Sequence, residues 1–182
     1  ATLSKSPRDL YKAQTLTDKT LSDVAAMQVN DLQFTQTDGS WTLTDDPDYP
    51  VSQSSIKKMA STILQMQTAW TVTAPEADTA YGLDSPDVTA VLTFTDGTSL
   101  TVRFGNAVAA AADGSDGDSL CYLASDAAPT VVYEVNADSK LAYAVTKESL
   151  YEETATAETA ASDPVAQYPV GGEDDYADSL PE

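Results

Sequence analysis

Hydrophobic and polar residues alternate through two consecutive segments in the middle of the chain. Apolar side chains occupy every second position in residues 88–94, and the same period runs through residues 100–104 after an Asp96-Gly97 dipeptide. Successive side chains of a strand point to opposite faces, and Asp-Gly is a strong signal for a tight hairpin turn. The pattern therefore predicts a β-hairpin with one apolar face and one face rich in threonine, as in a sheet that is covered on one side only.

Shorter segments with strand-like composition predict the rest of the sheet. An Asp38-Gly39 dipeptide marks a second tight turn, and two prolines and three aspartates between Asp45 and Pro50 indicate a loop. The six further predicted strands are residues 24–29, 32–34, 41–43, 70–73, 120–123 and 131–135.

One segment has the period of a helix instead. Ser52 is a suitable N-cap, and Val51 and Ile56 are placed to form a hydrophobic staple around it. The pattern predicts a helix over Ser52–Gln67 with one apolar stripe. That stripe consists of Ile56, Met59, Ala60, Ile63 and Met66.

These elements predict an α+β fold, an antiparallel β-sheet with one main helix packed on its apolar face. The helix and the hairpin are expected to share one core formed by Leu92, Phe94, Val102, Phe104, Ile56 and Ile63. Between them, Pro75–Tyr81 predicts one helical turn, closed by Gly82 in the left-handed conformation with Leu83 folding back onto it. A second short helix is predicted at Ser139–Ala144.

The composition divides the chain into three parts. Residues 1–22 are polar and carry four of the nine bases, which predicts a stalk or linker that follows an N-terminal anchor missing from this chain. Residues 23–151 are predicted to form a single globular domain. Residues 152–182 hold many Ala, Thr, Asp and Glu with few aliphatic side chains, which predicts a low-complexity acidic tail.

Charge narrows the classes of function. The chain has 29 acidic and 9 basic residues, a net charge of -20, and it repels nucleic-acid phosphates and anionic lipid headgroups. It has no histidine, the usual general base and metal ligand. Its one cysteine, Cys121, lies in a strand-like run and is interpreted as a buried small hydrophobe. We therefore expect a non-catalytic domain without a cofactor or nucleic-acid partner.

Three groups of residues are the weak candidates for a site. Calcium favours several oxygen ligands from a flexible loop, but the aspartate loops here have no closing glutamate, so a solvated loop is the favoured interpretation. Paired carboxylates of a glycosidase must stand at a fixed separation, and turn capping or solvation is the favoured interpretation of the pair in this chain. The candidates are Asp113, Asp116 and Asp118 with a similar cluster at Asp45, Asp46 and Asp48 for calcium, Asp84 and Glu134 as carboxylates, and Tyr49, Tyr81, Tyr122 and Tyr133 for sugar or peptide binding.

The order of these elements resembles the family called domain of unknown function 4340. The resemblance covers roughly residues 24–151, and its most specific piece is the Tyr-Gly-Leu-Asp-x-Pro segment of residues 81–86. The motifs in order are Trp41-Thr42-Leu43, the capped helix from Ser52, Tyr81-Gly82-Leu83-Asp84-Ser85-Pro86, the hairpin ending at Phe104-Gly105, Tyr122, and Val131-Val132-Tyr133. The family has no established activity, so no catalytic residue is carried over.

The resemblance implies an extracytoplasmic bacterial domain, often behind a membrane helix or lipid anchor. Some relatives are the extracytoplasmic part of auxiliary components of ABC-type transporters. We therefore expect an interaction or scaffolding module of a bacterial cell envelope, with a protein partner such as an ABC-type transporter and membrane contact only through the anchor. The alternative is a domain that binds a small ligand such as an envelope glycan or peptide, and an enzyme ranks third.

Overall fold

The structure is a computed structural model that describes residues 7–109 and 119–153. Within those ranges the secondary structure consists of eight strands, two α-helices and four short 3-10 turns. The strands are β1 (Val24–Val29), β2 (Leu32–Thr37), β3 (Ser40–Leu43), β4 (Thr68–Val72), β5 (Val88–Phe94), β6 (Ser99–Ala107), β7 (Leu120–Ser125) and β8 (Val132–Asn136). The helices are α1 (Gln53–Leu64) and α2 (Asp138–Leu141), and the 3-10 turns are Arg8–Leu10, Leu21–Asp23, Asp78–Tyr81 and Glu148–Leu150.

All eight strands form one antiparallel sheet in the order β3-β2-β1-β5-β6-β7-β8-β4. The strand β4 therefore lies at the edge beside β8, whereas the strand that follows it in sequence lies in the middle of the sheet. The predicted α+β class is confirmed in its coarse form, and the sheet dominates the fold because α1 is the one long helix in the described ranges.

The central hairpin has the register that its alternation predicts. Leu92 is paired with Leu100 and Ala90 with Val102, so that apolar side chains of β5 and β6 share one face. The turn between the strands has Gly97 at φ +83, a value that glycine adopts without a steric penalty.

The main core lies between α1 and the apolar face of the sheet. Ile56 and Ile63 on α1 are fully buried, and they belong to the same cluster as Leu92, Val102 and Phe104. Phe94 belongs to it as well, so the six residues predicted to share one core do so.

The helix begins as predicted and ends earlier. The Ser52 hydroxyl accepts a hydrogen bond from the backbone N–H of Ser55 at 3.4 Å, as an N-cap does. The helix ends at Leu64 and not at Gln67. The N–H of Met66 bonds to the carbonyl of Ile63, three residues back, which tightens the last turn before β4 starts.

The edge strand β3 is paired with a side chain of α1. The Gln53 amide donates to the carbonyl oxygen of Trp41 at 2.7 Å and accepts from the N–H of Trp41 at 2.7 Å. The amide thus makes the two hydrogen bonds that a neighbouring strand would make at this residue. Unpaired edge groups are a template for association between chains, so Gln53 reduces that risk at β3.

The turn around Gly82 packs directly against β6. Gly82 has φ +68 and the N–H of Leu83 bonds to the carbonyl of Asp78 at 3.0 Å, which confirms the predicted left-handed closure. The carbonyl of Tyr81 lies so close to Gly105 that a Cβ atom there would be 2.2 Å from its oxygen. A glycine at position 105 is therefore required for this approach of the two backbones.

The described part of the N-terminal segment, residues 7–22, lies against the domain. Leu16 and Leu21 pack against the main core, and the Lys19 ammonium contacts the carboxylate of Asp96 at 2.5 Å. Thr15 forms a bridge with Gln67, just ahead of β4. The division of the chain at residues 22 and 151 stays a prediction, and residues 154–182 of the predicted tail lie outside the described residues.

The chain after β8 returns to α1. The Tyr143 hydroxyl donates a hydrogen bond to the carbonyl of Met59 at 2.7 Å, and burial raises the pKa of this hydroxyl. The predicted helix at residues 139–144 is realised as the shorter α2. Val51 and Tyr151 then form a β-bridge, which ties the end of the described chain to the start of α1.

Candidate functional site

A buried carboxylate lies on the outer face of the sheet, the face opposite α1. Glu134 of β8 is 4% exposed, and among the described residues it is the charged residue that is buried. Its cross-strand neighbours are Tyr122 on β7 and Trp70 on β4. Removing a carboxylate from water costs several kcal/mol unless a charge or hydrogen-bond donor replaces the lost hydration. The sheet therefore needs a partner for Glu134.

That partner is Arg8 of the N-terminal segment. Its guanidinium contacts both carboxylate oxygens of Glu134, at 2.7 and 2.9 Å, in the two-pronged geometry that arginine and carboxylates prefer. The same guanidinium lies over the Trp70 ring, 5.1 Å from its centroid. The contact joins residues 126 positions apart in the chain. One charged group thus makes an ion pair and a cation–π contact in the same place.

Tyr11 anchors the same segment one turn further on. Its ring lies 5.3 Å from the ring of Trp70, and its hydroxyl is 2.7 Å from the hydroxyl oxygens of both Thr68 and Thr71 on β4. The N–H of Thr68 bonds to the carbonyl of Gln14 at 2.9 Å. Two side chains and a backbone contact therefore seat residues 8–15 on the edge strand β4 and beside Glu134.

A small apolar cluster adjoins this site. The rings of Tyr81 and Tyr122 meet edge to face with their centroids 4.8 Å apart, and Leu83, Ala124 and Val132 pack with them. Burial raises the pKa of the Tyr122 hydroxyl, and the negative charge of Glu134 raises it further. Tyr122 is therefore held as a neutral aromatic side chain at the border between the cluster and the ion pair.

The predicted tyrosine group is only partly brought together. Tyr81 and Tyr122 are in contact, whereas Tyr133 points to the other face and packs against the main core. Tyr49 lies elsewhere, 5.8 Å from the ring of Tyr151 and beneath the Lys147 ammonium. The structure therefore does not form a four-tyrosine binding surface.

The predicted carboxylate candidates lie in different environments. Asp84 is exposed in the turn after Leu83, whereas Glu134 is buried in the fork of Arg8. In the second aspartate cluster, Asp46 is paired with Lys147 at 2.8 Å. No three His, Cys, Asp or Glu side chains of residues 7–109 and 119–153 are grouped in a way that suits a metal ion. The candidates Asp113, Asp116 and Asp118 lie outside the described residues.

The other half of the outer face is open. On β2, β1 and β5 and at Thr101 of β6 it presents uncharged side chains that are exposed or half-buried, and Arg103 of β6, paired with Asp78 at 3.0 Å, borders it. We call it the open face, and it consists of Gln28, Gln33, Thr35, Val91, Thr93 and Thr101. In a chain of net charge -20, an uncharged sheet surface of this kind is a distinct feature.

A groove of about 570 Å³ lies between α1 and α2. It is lined by Lys58, Thr62, Asn136, Asp138, Ser139, Leu141 and Ala142, with no aromatic side chain among them. The groove is shallow and open, and it lies on the side of the sheet away from Glu134. Ligand sites are usually concave and lined by aromatic and apolar groups, which this groove does not provide.

Sequence reasoning missed the main partner of the site. It treated Arg8 and Tyr11 as part of a polar stalk, and it assigned Trp70 only to a strand. The available signal was Glu134 itself, an acid in the middle of an apolar strand, which requires a cation from elsewhere in the chain. Any of the nine basic residues could form that ion pair, and no pattern in the sequence distinguishes one of them from the others.

No helix in the described ranges is both long enough and apolar enough to cross a membrane.

Cys121 is buried at the inner face, as predicted, and burial raises the pKa of its thiol. The Cys121 side chain therefore acts as part of the packed core.

The fold and the site together define a sheet-dominated α+β domain whose outer face combines an arginine–glutamate pair, an aromatic cluster and an open uncharged surface. Residues 41–161, which are 121 of the 182 residues, match the model of the family described as a domain of unknown function (DUF4340). The chain belongs to this family, as the resemblance indicated. The match begins at Trp41 and not at Val24, so β1, β2 and Arg8 lie outside it, whereas Trp70, Tyr122 and Glu134 lie within it. No curated protein and no solved structure matches this chain.

Proposed function

We propose that this chain is a non-catalytic interaction or scaffolding module of a bacterial cell envelope, located outside the cytoplasm. Its partner is a protein at the membrane, such as an ABC-type transporter, and it reaches the membrane through an anchor outside this chain. The observation that carries the proposal is the open face, a sheet surface of uncharged side chains that are exposed or half-buried. Exposed sheet surfaces suit protein partners better than small ligands, which usually bind in concave sites.

The charge of the chain supports the same proposal. With a net charge of -20 the domain is repelled by anionic membrane surfaces, so contact through a protein partner or an anchor is favoured over direct adsorption. The open face lacks charge, so a partner can cover it without burying unpaired ions. The absence of histidine is also in keeping with a binding module.

Site-specific crosslinking in the native bacterium tests the proposal. A photoreactive amino acid at Thr93, on the open face, is expected to give an adduct with one membrane protein in the full-length gene product. The same group at Lys57, on the exposed side of α1, is the matched control and is expected to give none. Equal labelling at both positions, or none at either, would contradict the proposal. Fractionation of the same cells tests the extracytoplasmic location.

A charge on the open face provides a second test. Thr93→Arg places a long cation on an exposed position, so the stability should change by less than about 0.5 kcal/mol. The adduct from a photoreactive group at Thr35 should nevertheless be lost, because a partner would bury the new charge. An unchanged adduct would show that the open face is not the contact surface.

The alternative is a small-ligand domain for an envelope glycan or peptide, and the aromatic side chains near Glu134 favour it. Sugars and peptides stack on exposed aromatic rings, and Trp70 is half-buried on the outer face. Calorimetry with envelope glycan fragments tests this function. Binding that disappears in Trp70→Ala but persists in Thr93→Arg would replace the scaffolding proposal with the alternative.

A further inference from the structure

The contact between the N-terminal segment and the sheet has the parts of a peptide complex. The sheet contributes the buried Glu134 carboxylate, the Trp70 ring and the hydroxyls of Thr68 and Thr71. The segment contributes a guanidinium at Arg8 and, three residues later, the phenol of Tyr11. Both anchors are side chains, and each one contacts residues of β4 or β8.

The sheet side of this contact is selective for a guanidinium. A buried carboxylate beside an indole ring offers two acceptor oxygens and a π face at once. Arginine fills both with one planar group, whereas the ammonium of lysine is a point charge that cannot bond both oxygens with parallel N–H groups. The preference for arginine is thus set by β4 and β8, whichever chain supplies the side chain.

The occupant is held at the surface. The Arg8 side chain is 53% exposed, whereas the Glu134 side chain is 5% exposed. Solvent therefore reaches the guanidinium from its outer side, and the ion pair is weakened by water and salt there. The acceptor is part of strand β8, and the donor lies on a segment that is not a strand of the sheet.

We propose that the surface formed by Glu134, Trp70 and Thr68 is a binding site for a basic segment of another protein that forms one 3-10 turn, with an arginine followed three residues later by an aromatic residue. In this structure residues 8–11 occupy it in cis. The net charge of -20 attracts such a segment, and the partner displaces Arg8 and Tyr11 when it binds. The site lies apart from the open face, so the inference stands or falls independently of the crosslinking experiment at Thr93.

A peptide exchange experiment on the full chain tests this. The variant Arg8→Ala/Tyr11→Ala removes both anchors of the cis segment, and the probe is a fluorescent peptide with the sequence of residues 7–16. The matched control peptide has lysine in place of its arginine, so both peptides carry the same charge. Anisotropy at about 150 mM salt should give at least tenfold tighter binding of the arginine peptide. The unsubstituted chain should bind it at least tenfold more weakly than the variant, because its own segment competes.

The role of the carboxylate is tested by adding Glu134→Gln to the same variant. The preference for the arginine peptide over the lysine peptide should then disappear, while circular dichroism shows that the chain is folded. Equal affinities for the two peptides before that change would overturn the proposal. So would the absence of peptide binding to a folded Arg8→Ala/Tyr11→Ala chain.

Two further outcomes are decisive. If the double variant does not fold, Arg8→Ala alone is titrated with arginine amide and lysine amide, and equal thermal stabilisation by the two would overturn the proposal. If the unsubstituted chain forms dimers in solution that the double variant loses, the occupant is a second copy of this chain. That result would overturn the assignment to another protein, whatever the crosslinks at the open face show.

Discussion

The close approach of Gly105 to the Tyr81 turn gives the sharpest stability prediction. In Gly105→Ala the added Cβ would lie 2.2 Å from the Tyr81 carbonyl oxygen and 3.1 Å from Leu83 Cδ2. Contacts of a Cβ below 3.0 Å are essentially never seen, so the two backbones must separate by about 0.8 Å. The atom in the way is backbone, so no side-chain rotation relieves the clash.

The movement has a cost that can be bounded. Overpacking a well-filled site costs about 1–3 kcal/mol, and the turn also holds the Arg103 guanidinium at the Leu83 carbonyl oxygen, 2.5 Å away. For a chain of this length each kcal/mol corresponds to roughly 2–4 °C in Tm. We therefore expect Gly105→Ala to melt several degrees below the unsubstituted chain, with a matching loss in urea unfolding.

Gly97→Asn is the matched control for replacing a glycine. Gly97 also lies on β5–β6, in the turn, and a Cβ there meets nothing within 4 Å. Asparagine tolerates positive φ, so this change should cost less than about 1 kcal/mol. Equal losses for the two variants, or no loss in Gly105→Ala, would refute the argument that the two backbones are in van der Waals contact at Gly105.

Three further predictions follow from the sheet and its edges. Phe94→Ala should cost about 3–5 kcal/mol in denaturant unfolding because the ring is buried, whereas Thr93→Ala on the other face should cost under 1 kcal/mol, and equal losses would contradict the register. Gln53→Ala removes two hydrogen bonds to β3 and should cost about 1–3 kcal/mol of stability. It should also raise light scattering at high concentration, because the edge of β3 becomes free to pair with another chain. An unchanged size distribution would count against an edge-blocking role of Gln53. The Lys19 ammonium and hydrogen bonds from Thr98 hold the pKa of Asp96 below its ordinary value of 3.8. The Asp96 carboxylate therefore adds stability that is present above about pH 4 and is lost as the pH falls through the lowered pKa. The stability difference between the unsubstituted chain and Asp96→Asn should therefore be largest at pH 7 and shrink below pH 3.8 in urea melts, and a difference that stays constant down to pH 2 would exclude the charge as its cause.

The sheet was predictable because its signals are local. The alternation in residues 88–104 fixes which face is buried, and the Asp96-Gly97 dipeptide fixes the turn, so one hairpin of the fold follows from short-range chemistry. The start of α1 was equally local, since Ser52 and the apolar stripe define it. Its end was less so, because Met66 continues the helical period but is buried after the helix has closed.

The site was not predictable, because it depends on contacts between distant parts of the chain. The order of the strands places β4 beside β8, and only this pairing brings Trp70 next to Glu134. The role of Arg8 depends on where a polar segment with no strong periodicity crosses the sheet. The polar composition of that segment predicts a stalk. Its contacts with the sheet leave no pattern in the sequence, because single side chains make them and not an apolar stripe.

The contact between Arg8 and Glu134 also has a consequence for how the chain is synthesised. Arg8 leaves the ribosome first, but its carboxylate partner is translated 126 residues later, roughly 6–25 s at about 5–20 residues per second. The strand β4 likewise stays unpaired until β8, its neighbour in the sheet, has been translated. A nascent chain that stops before β8 therefore keeps Trp70 and the edge of β4 unpaired. The N-terminal segment can take its place on the sheet only after translation has passed Glu134.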